Sequence, residues 1–167
     1  MALPTVYIET SIVSYLRARH SSQITSAARQ IVTRRWWDEE RHNYSPVISP
    51  YVLAEASDGN PALAAERLAA LAGIPIVPEA VEIPLLADRL LKAALLPAKA
   101  RLDALHICAA AFHRIDYLLT WNCSHMANAR ILPRIRATLN ELGYQLPVIC
   151  TPEEMTDDPN NGILDFD

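Results

Sequence analysis

The chain has 167 residues, 51% of them hydrophobic and 20% charged, with a formal net charge of −4 at pH 7. That length suits one ordinary domain with a real core, and the composition excludes an intrinsically disordered chain. No apolar run approaches the roughly 18 residues of a membrane helix, and three cysteines, Cys108, Cys123 and Cys150, are too few and too scattered for a disulfide framework.

Thr5 to Glu9 is β-branched and aromatic and reads as a first strand, with Thr10-Ser11 able to cap a following helix to about Leu16. After the break at His20-Ser21-Ser22, a second helix is expected to run to about Arg41. It carries Ile24, Ala27, Ala28, Ile31, Val32 and the Trp36-Trp37 pair at helical spacing. The Trp pair reads as core or interface packing rather than as a base-stacking platform. Tyr44 to Ser49 is a second strand, and Ser49-Pro50 supplies an N-cap and a first-turn proline for a short helix through Ser57. Asp58-Gly59-Asn60-Pro61 is a turn that opens a helix to about Ala72, stopped by Gly73.

Ile74 to Val77 is expected to be a short strand, and helical pattern follows from about Glu79 to Ala94. Leu96-Pro97 breaks it, and a long apolar helix runs from about Ala98 to His113. Asp116 to Thr120 is the fourth strand. A loop through Asn122 leads to a helix ending near Leu142-Gly143, and Leu146 to Cys150 is the fifth strand. Thr151-Pro152-Glu153-Glu154 reads as a capped short turn, and the end of the chain as a loose acidic tail. Cys108 and Cys150 lie in apolar segments and read as small core residues.

Short apolar strands alternating with helices predict an α/β fold. The expectation is a three-layer α/β/α arrangement around a central parallel sheet of about five strands, in one domain over 1–155 with a tail at 156–167. Met1-Ala2-Leu3-Pro4 has neither a basic region nor an apolar h-region, so a cytoplasmic protein with no membrane association is expected. Charge is unevenly spread. The segment 151–167 holds six of the 19 acids and no Lys or Arg, so the rest carries 15 basic against 13 acidic residues, a formal +2. Between Thr10 and Trp37 there is no acid, yet Arg17, Arg19, Arg29, Arg34 and Arg35 all lie there. Such a stretch is either a basic face for phosphates or an ordinary solvated helix surface.

Ligands of open parallel sheets bind beyond the carboxyl ends of the strands, at the switch in strand order. Glu9 ends the first strand, Asn122 lies just past the fourth, and Glu55 sits on the helix after the second. Asp103 stands among Ala104, Leu105, Ile107, Cys108, Ala109 and Ala110, where an unpaired buried acid costs several kcal/mol, on the order of 3–5. It must face a partner, a metal or water; the ordinary alternative is a first-turn acid interacting with Lys99 or Arg101. Carboxylates gathered together repel unless a cation neutralises them, and Mg²⁺ or Mn²⁺ prefers such oxygen donors.

Four stretches resemble, in order and spacing, the successive motifs of PIN domains, and of the VapC-like branch above all. They are Val6-Tyr7-Ile8-Glu9-Thr10-Ser11, Ser49-Pro50-Tyr51-Val52-Leu53-Ala54-Glu55, Arg101-Leu102-Asp103-Ala104-Leu105-His106-Ile107 and Asp116-Tyr117-Leu118-Leu119-Thr120-Trp121-Asn122. With their strands and helices they span about 5–152. The resemblance implies a Mg²⁺- or Mn²⁺-dependent endoribonuclease, the toxin of a toxin–antitoxin pair. Glu9, Glu55, Asp103 and Asn122 would be its catalytic, metal-holding positions. Thr10 or Ser11 would hold a water or phosphate, and Thr120 would support the fourth position. It also implies a homodimer and an antitoxin chain that covers the site.

Two positions depart from that pattern. Glu9 stands where Asp is usual, and Asn122 stands where Asp is frequent, keeping an oxygen but losing a charge, which puts a second metal in doubt. The alternative is therefore a catalytically silent PIN domain that binds RNA or a protein. His106 reads as a helix-face histidine satisfied by backbone or water rather than as a general base. Cys123 with His125 lacks the CxxC or HxxxH partner of a zinc site. A phosphate-binding glycine loop and a GxSxG nucleophile turn are both missing.

Overall fold

A computed structural model describes residues 2–93 and 96–156. The expected tail lies outside the described residues except for Thr156, as does Ala94, the expected end of the fifth helical segment.

Strand β1 (Thr5–Ile8) leads directly into helix α1 (Thr10–Arg17). Helix α2 (Ile24–Arg35) passes into a wider π-helical turn, Trp36–Glu40, and a 3-10 turn, Arg41–Asn43. Both indoles are buried there, Trp36 against Tyr44 at 6.1 Å and Trp37 under the Arg41 guanidinium at 4.5 Å. The pair is core. Strand β2 (Ser45–Val47) and helix α3 (Pro50–Ala56) follow, with Ser49 at the N-cap and Pro50 in the first turn. The Ser49 hydroxyl does not cap the helix; it is used inside the protein instead.

Asn60 caps helix α4 (Pro61–Leu71), its Oδ1 accepting from the amides of Ala62 and Leu63 at 3.0 and 3.2 Å. Helices α5 (Glu82–Lys92) and α6 (Arg101–Phe112) pack against each other, α6 being preceded by a 3-10 turn at Ala98–Ala100. Strand β3 (Tyr117–Leu119) leads through a loop to helix α7 (Leu132–Glu141), which Gly143 ends with φ of +83°. Strand β4 (Val148–Cys150) then enters the sheet. Pro152–Met155 forms a 3-10 turn whose capping box joins Thr151 and Glu154, as the sequence predicts.

The sheet order is β2-β1-β3-β4, and every pairing is parallel. Val6, Tyr7 and Ile8 of the central β1 are fully buried, as expected where helices cover both faces. The architecture is the expected three-layer α/β/α, with one correction. The described sheet has four strands, because the segment expected as a strand over Ile74–Val77 forms a single parallel bridge, Ile76 to Ile48. Its two bonds run from the Ile48 amide to the Pro75 carbonyl (2.9 Å) and from the Val77 amide to the Ile48 carbonyl (2.8 Å). Pro75 and Pro78 on either side have no N–H with which to extend the ladder.

Candidate active site

Chain order reverses at the β1–β3 pair, since β2 lies on one side of β1 while β3 and β4 extend the other. Ile8 pairs with Leu119, so the residues just past each strand, Glu9 and Thr120, emerge side by side at the carboxyl edge. Glu9 is buried and is also the N-cap of α1. Its carboxylate accepts from the Ser11 amide (3.1 Å), the Ser11 hydroxyl and the Thr120 hydroxyl (2.7 Å). An acid at this position faces the positive end of the helix. Ser11 Oγ also accepts the Trp121 amide (2.8 Å), and Thr120 Oγ1 accepts the Asn122 amide (2.9 Å). The two loops are thus tied together through Glu9.

Glu55 reaches the same edge from α3. Its Oε2 takes both hydrogen bonds it receives among the described residues, from Thr10 Oγ1 at 2.6 Å and from His106 Nε2 at 2.5 Å. Oε1 is left open. Because a carboxylate only accepts, His106 Nε2 carries the proton of that bond. The other ring nitrogen, Nδ1, lies 2.7 Å from the Tyr7 hydroxyl, which lies 2.5 Å from Ser49 Oγ. Ser49, Tyr7 and His106 are all buried. With a neutral imidazole, Tyr7 donates to Nδ1 and Ser49 donates to Tyr7, giving one directed line that ends on Glu55.

Burial by itself raises the Glu55 carboxyl. The hydrogen bond from His106, the charge that this ring carries when it is protonated, and the Thr10 hydroxyl overcome that and hold the group below its ordinary value. Burial pushes the Tyr7 phenol well above its ordinary value, opposed by Ser49 and reinforced by Glu9 and Glu55, so Tyr7 stays protonated.

Asp103, on the first turn of α6, belongs to an adjoining group. Its Oδ1 accepts from Asn122 Nδ2 and its Oδ2 lies against His125 Nδ1, both at 2.9 Å, while Asn122 Oδ1 accepts the His125 amide at 3.1 Å. Asp103 does not take the ordinary partner that a first-turn acid would find in Arg101, which pairs with Asp88 at 3.2 Å. Among the described residues, Glu9, Glu55 and His106 form a cluster whose ligand atoms lie within 4.8 Å of one another. Asp103 is not in that cluster; it is joined to it through Asn122 and Thr120.

All the residues singled out in the sequence, Glu9, Thr10, Ser11, Glu55, Asp103, Thr120 and Asn122, therefore fall in two linked groups at one edge of the sheet. Three residues escaped the sequence reading. His106 is held by the side chains of Tyr7 and Glu55 rather than by backbone or water, which corrects the expectation for it. Tyr7 and His125 were read only as a strand residue and as half of a failed zinc pattern. A hydroxyl in the midst of a central apolar strand was the available signal for Tyr7.

No family model matches the chain, and no curated protein matches it. Among solved structures it is similar to a chain of VapBC2 from Rickettsia felis bound to a DNA fragment from their promoter. Identity is 16%, the TM-score is 0.53, and the match covers 88% of this chain and 98% of that one. The likeness is one of fold: an α/β arrangement of helices around a short parallel sheet. Among the described residues no helix is long and apolar enough to cross a membrane.

Proposed function

We propose that this chain is a metal-dependent endoribonuclease of the PIN type, hydrolysing RNA phosphodiester bonds as the toxin of a toxin–antitoxin pair. The observation that carries the reading is the convergence of Glu9 and Glu55 at the topological switch, with Asp103 and Asn122 joined to them by hydrogen bonds. The donor set fits a hard divalent cation. It is built of carboxylate oxygens, and Glu55 Oε1 has no hydrogen-bond partner among the described residues. Glu9, Glu55 and Asp103 would hold Mg²⁺ or Mn²⁺, with Asn122 at the edge. Such an ion, when bound, supplies an activated water and neutralises charge on the leaving oxygen.

The chain's own residues supply orientation. Thr10 and His106 fix one oxygen of Glu55 and so aim the other. Ser11 and Thr120 hold Glu9 in register with the end of β3, and Thr120, by accepting the Asn122 amide, also supports the fourth position. Asn122 and His125 hold Asp103. In this reading the chain spans one domain over 1–155, works as a cytoplasmic homodimer and is covered by a cognate antitoxin.

The other reading, a catalytically silent module that binds RNA or protein, draws on Asn122. Its amide donates to Asp103 where a fourth carboxylate would add charge. The two separate on incubation of the protein with a structured RNA in Mg²⁺, in Mn²⁺ and in EDTA. Cleavage that EDTA and Asp103→Asn both abolish supports the nuclease. RNA left intact under each metal while binding persists overturns it.

A further inference from the structure

A groove of about 370 Å³ lies between α1 and α2, lined by Ser14, Tyr15, Arg19, Ser21, Ser26 and the buried Gln30. Gln30 is only 3% exposed, and both ends of its amide are used. Nε2 donates to the Arg19 carbonyl at 2.8 Å and Oε1 accepts the Ser21 amide at 3.2 Å. A buried side-chain amide thus sets the shape of the 19–21 loop, so this wall of the groove is built in advance.

Arg29 meets the groove through Tyr15, one of its lining residues, and meets the candidate site's loop through Trp121. Its guanidinium lies over the Tyr15 ring at 5.8 Å and over the Trp121 ring at 5.2 Å, and Nη1 donates to the Tyr15 hydroxyl at 3.2 Å. No carboxylate pairs with it among the described residues, and the chain has no acid between Thr10 and Trp37. Two aromatic faces therefore hold a cation in one place, with most of its five N–H donors unspent. Trp121 connects it to the site, because the Trp121 amide bonds Ser11 Oγ, which itself donates to Glu9. A fixed guanidinium with free donors and no carboxylate partner among the described residues matches a phosphodiester.

We infer that the α1–α2 groove binds one nucleotide of a single-stranded RNA next to the bond that is cut, with Arg29 on its phosphate and Arg19 at the rim. This rests on the reading of the chain as an RNA hydrolase. It adds the path of the strand, running from the Glu9–Glu55 edge over Trp121 and along α1.

The test is fluorescence anisotropy of a labelled single-stranded oligoribonucleotide in EDTA, titrated with the full chain over a series of salt concentrations. Arg29→Met keeps an unbranched side chain in the same place and removes the guanidinium, with its charge and its donors. Its affinity is expected to fall about tenfold. The slope of log affinity against log salt should shrink by about 0.7, the share of one single-strand phosphate. Arg19→Met, at an exposed position with no packing role, is expected to reduce the slope in the same direction if Arg29→Met is poorly folded. Arg136→Met, on the exposed side of α7, removes the same charge elsewhere and serves as the control. Affinity and slope unchanged in both groove variants, or reduced equally by the Arg136 variant, overturn the groove, as does RNA that the wild type does not bind. Failure of the hydrolase reading is separate: it appears as RNA left uncut in Mg²⁺ and Mn²⁺.

Discussion

The line Ser49–Tyr7–His106–Glu55 makes a stability prediction that uses one atom. Tyr7→Phe removes a hydroxyl that bonds both Ser49 (2.5 Å) and His106 (2.7 Å) and leaves the ring, and hence the packing of β1, unchanged. No cavity forms. Two hydrogen bonds at about 1 kcal/mol net each are lost, and the buried Nδ1 of His106 is left without its donor, so the cost is about 2–3 kcal/mol. For a chain of this length that corresponds to a fall in Tm of roughly 4–12 °C. Urea unfolding in EDTA should show a lower midpoint with the slope m unchanged. Combining Tyr7→Phe with His106→Ala tests whether the line acts as a unit. The double variant should lose less than the sum of the singles, by at least about 0.5 kcal/mol. A Tyr7→Phe cost below about 0.5 kcal/mol, within the ordinary range of surface substitutions, refutes the directed line from Ser49 to Glu55.

Glu55 carries a pH signature. Its folded carboxyl is held below the ordinary value, so the unfolded chain binds the proton first. The stability it contributes is present above the unfolded value and is lost as pH falls through the folded one. In EDTA, the wild type should lose stability more steeply than Glu55→Gln below about pH 4.5; parallel curves would disprove the assignment. Asn122→Asp puts a second carboxylate against Asp103 in place of the 2.9 Å amide bond. It should lower Tm in EDTA and show a larger rise on adding Mg²⁺ than the wild type, by differential scanning fluorimetry. An equal Mg²⁺ response would remove Asn122 from the metal-holding set. Burial raises the thiols of Cys108 and Cys150, the latter to about 12, whereas Cys123 is exposed. A thiol reagent should therefore label one cysteine per native chain and three after unfolding; rapid labelling of more than one native cysteine contradicts the burial.

Much of this arrangement is local, and so legible along the chain. The β-branched run at Thr5–Ile8, the Ser49-Pro50 start of α3, the Asn60-Pro61 start of α4 and Gly143 at the end of α7 each act within a few residues. The placing of Glu9 and Thr120 at strand ends follows from the same information, because a parallel sheet collects whatever stands at its carboxyl edge. The reduction of Ile74–Val77 to a single bridge was legible too, because Pro75 and Pro78 deny that segment the donors of a ladder.

What the sequence by itself determined is which residues can be buried, where strands and helices alternate, and which acids stand at the edges of apolar elements. Only the tertiary structure decided how those acids are held. Glu55 meets His106 across 51 residues and Thr10 across 45; Glu9 meets Thr120 across 111. Periods of 2 and 3.6 say which face a side chain takes on its own element. They carry nothing about which of two carboxylate oxygens a neighbour from another element will bind. That is set by the packing of α3 and α6 around the end of β1, and it is why Glu55 is held by His106 and, through it, Tyr7, while Asp103 is held by Asn122 and His125.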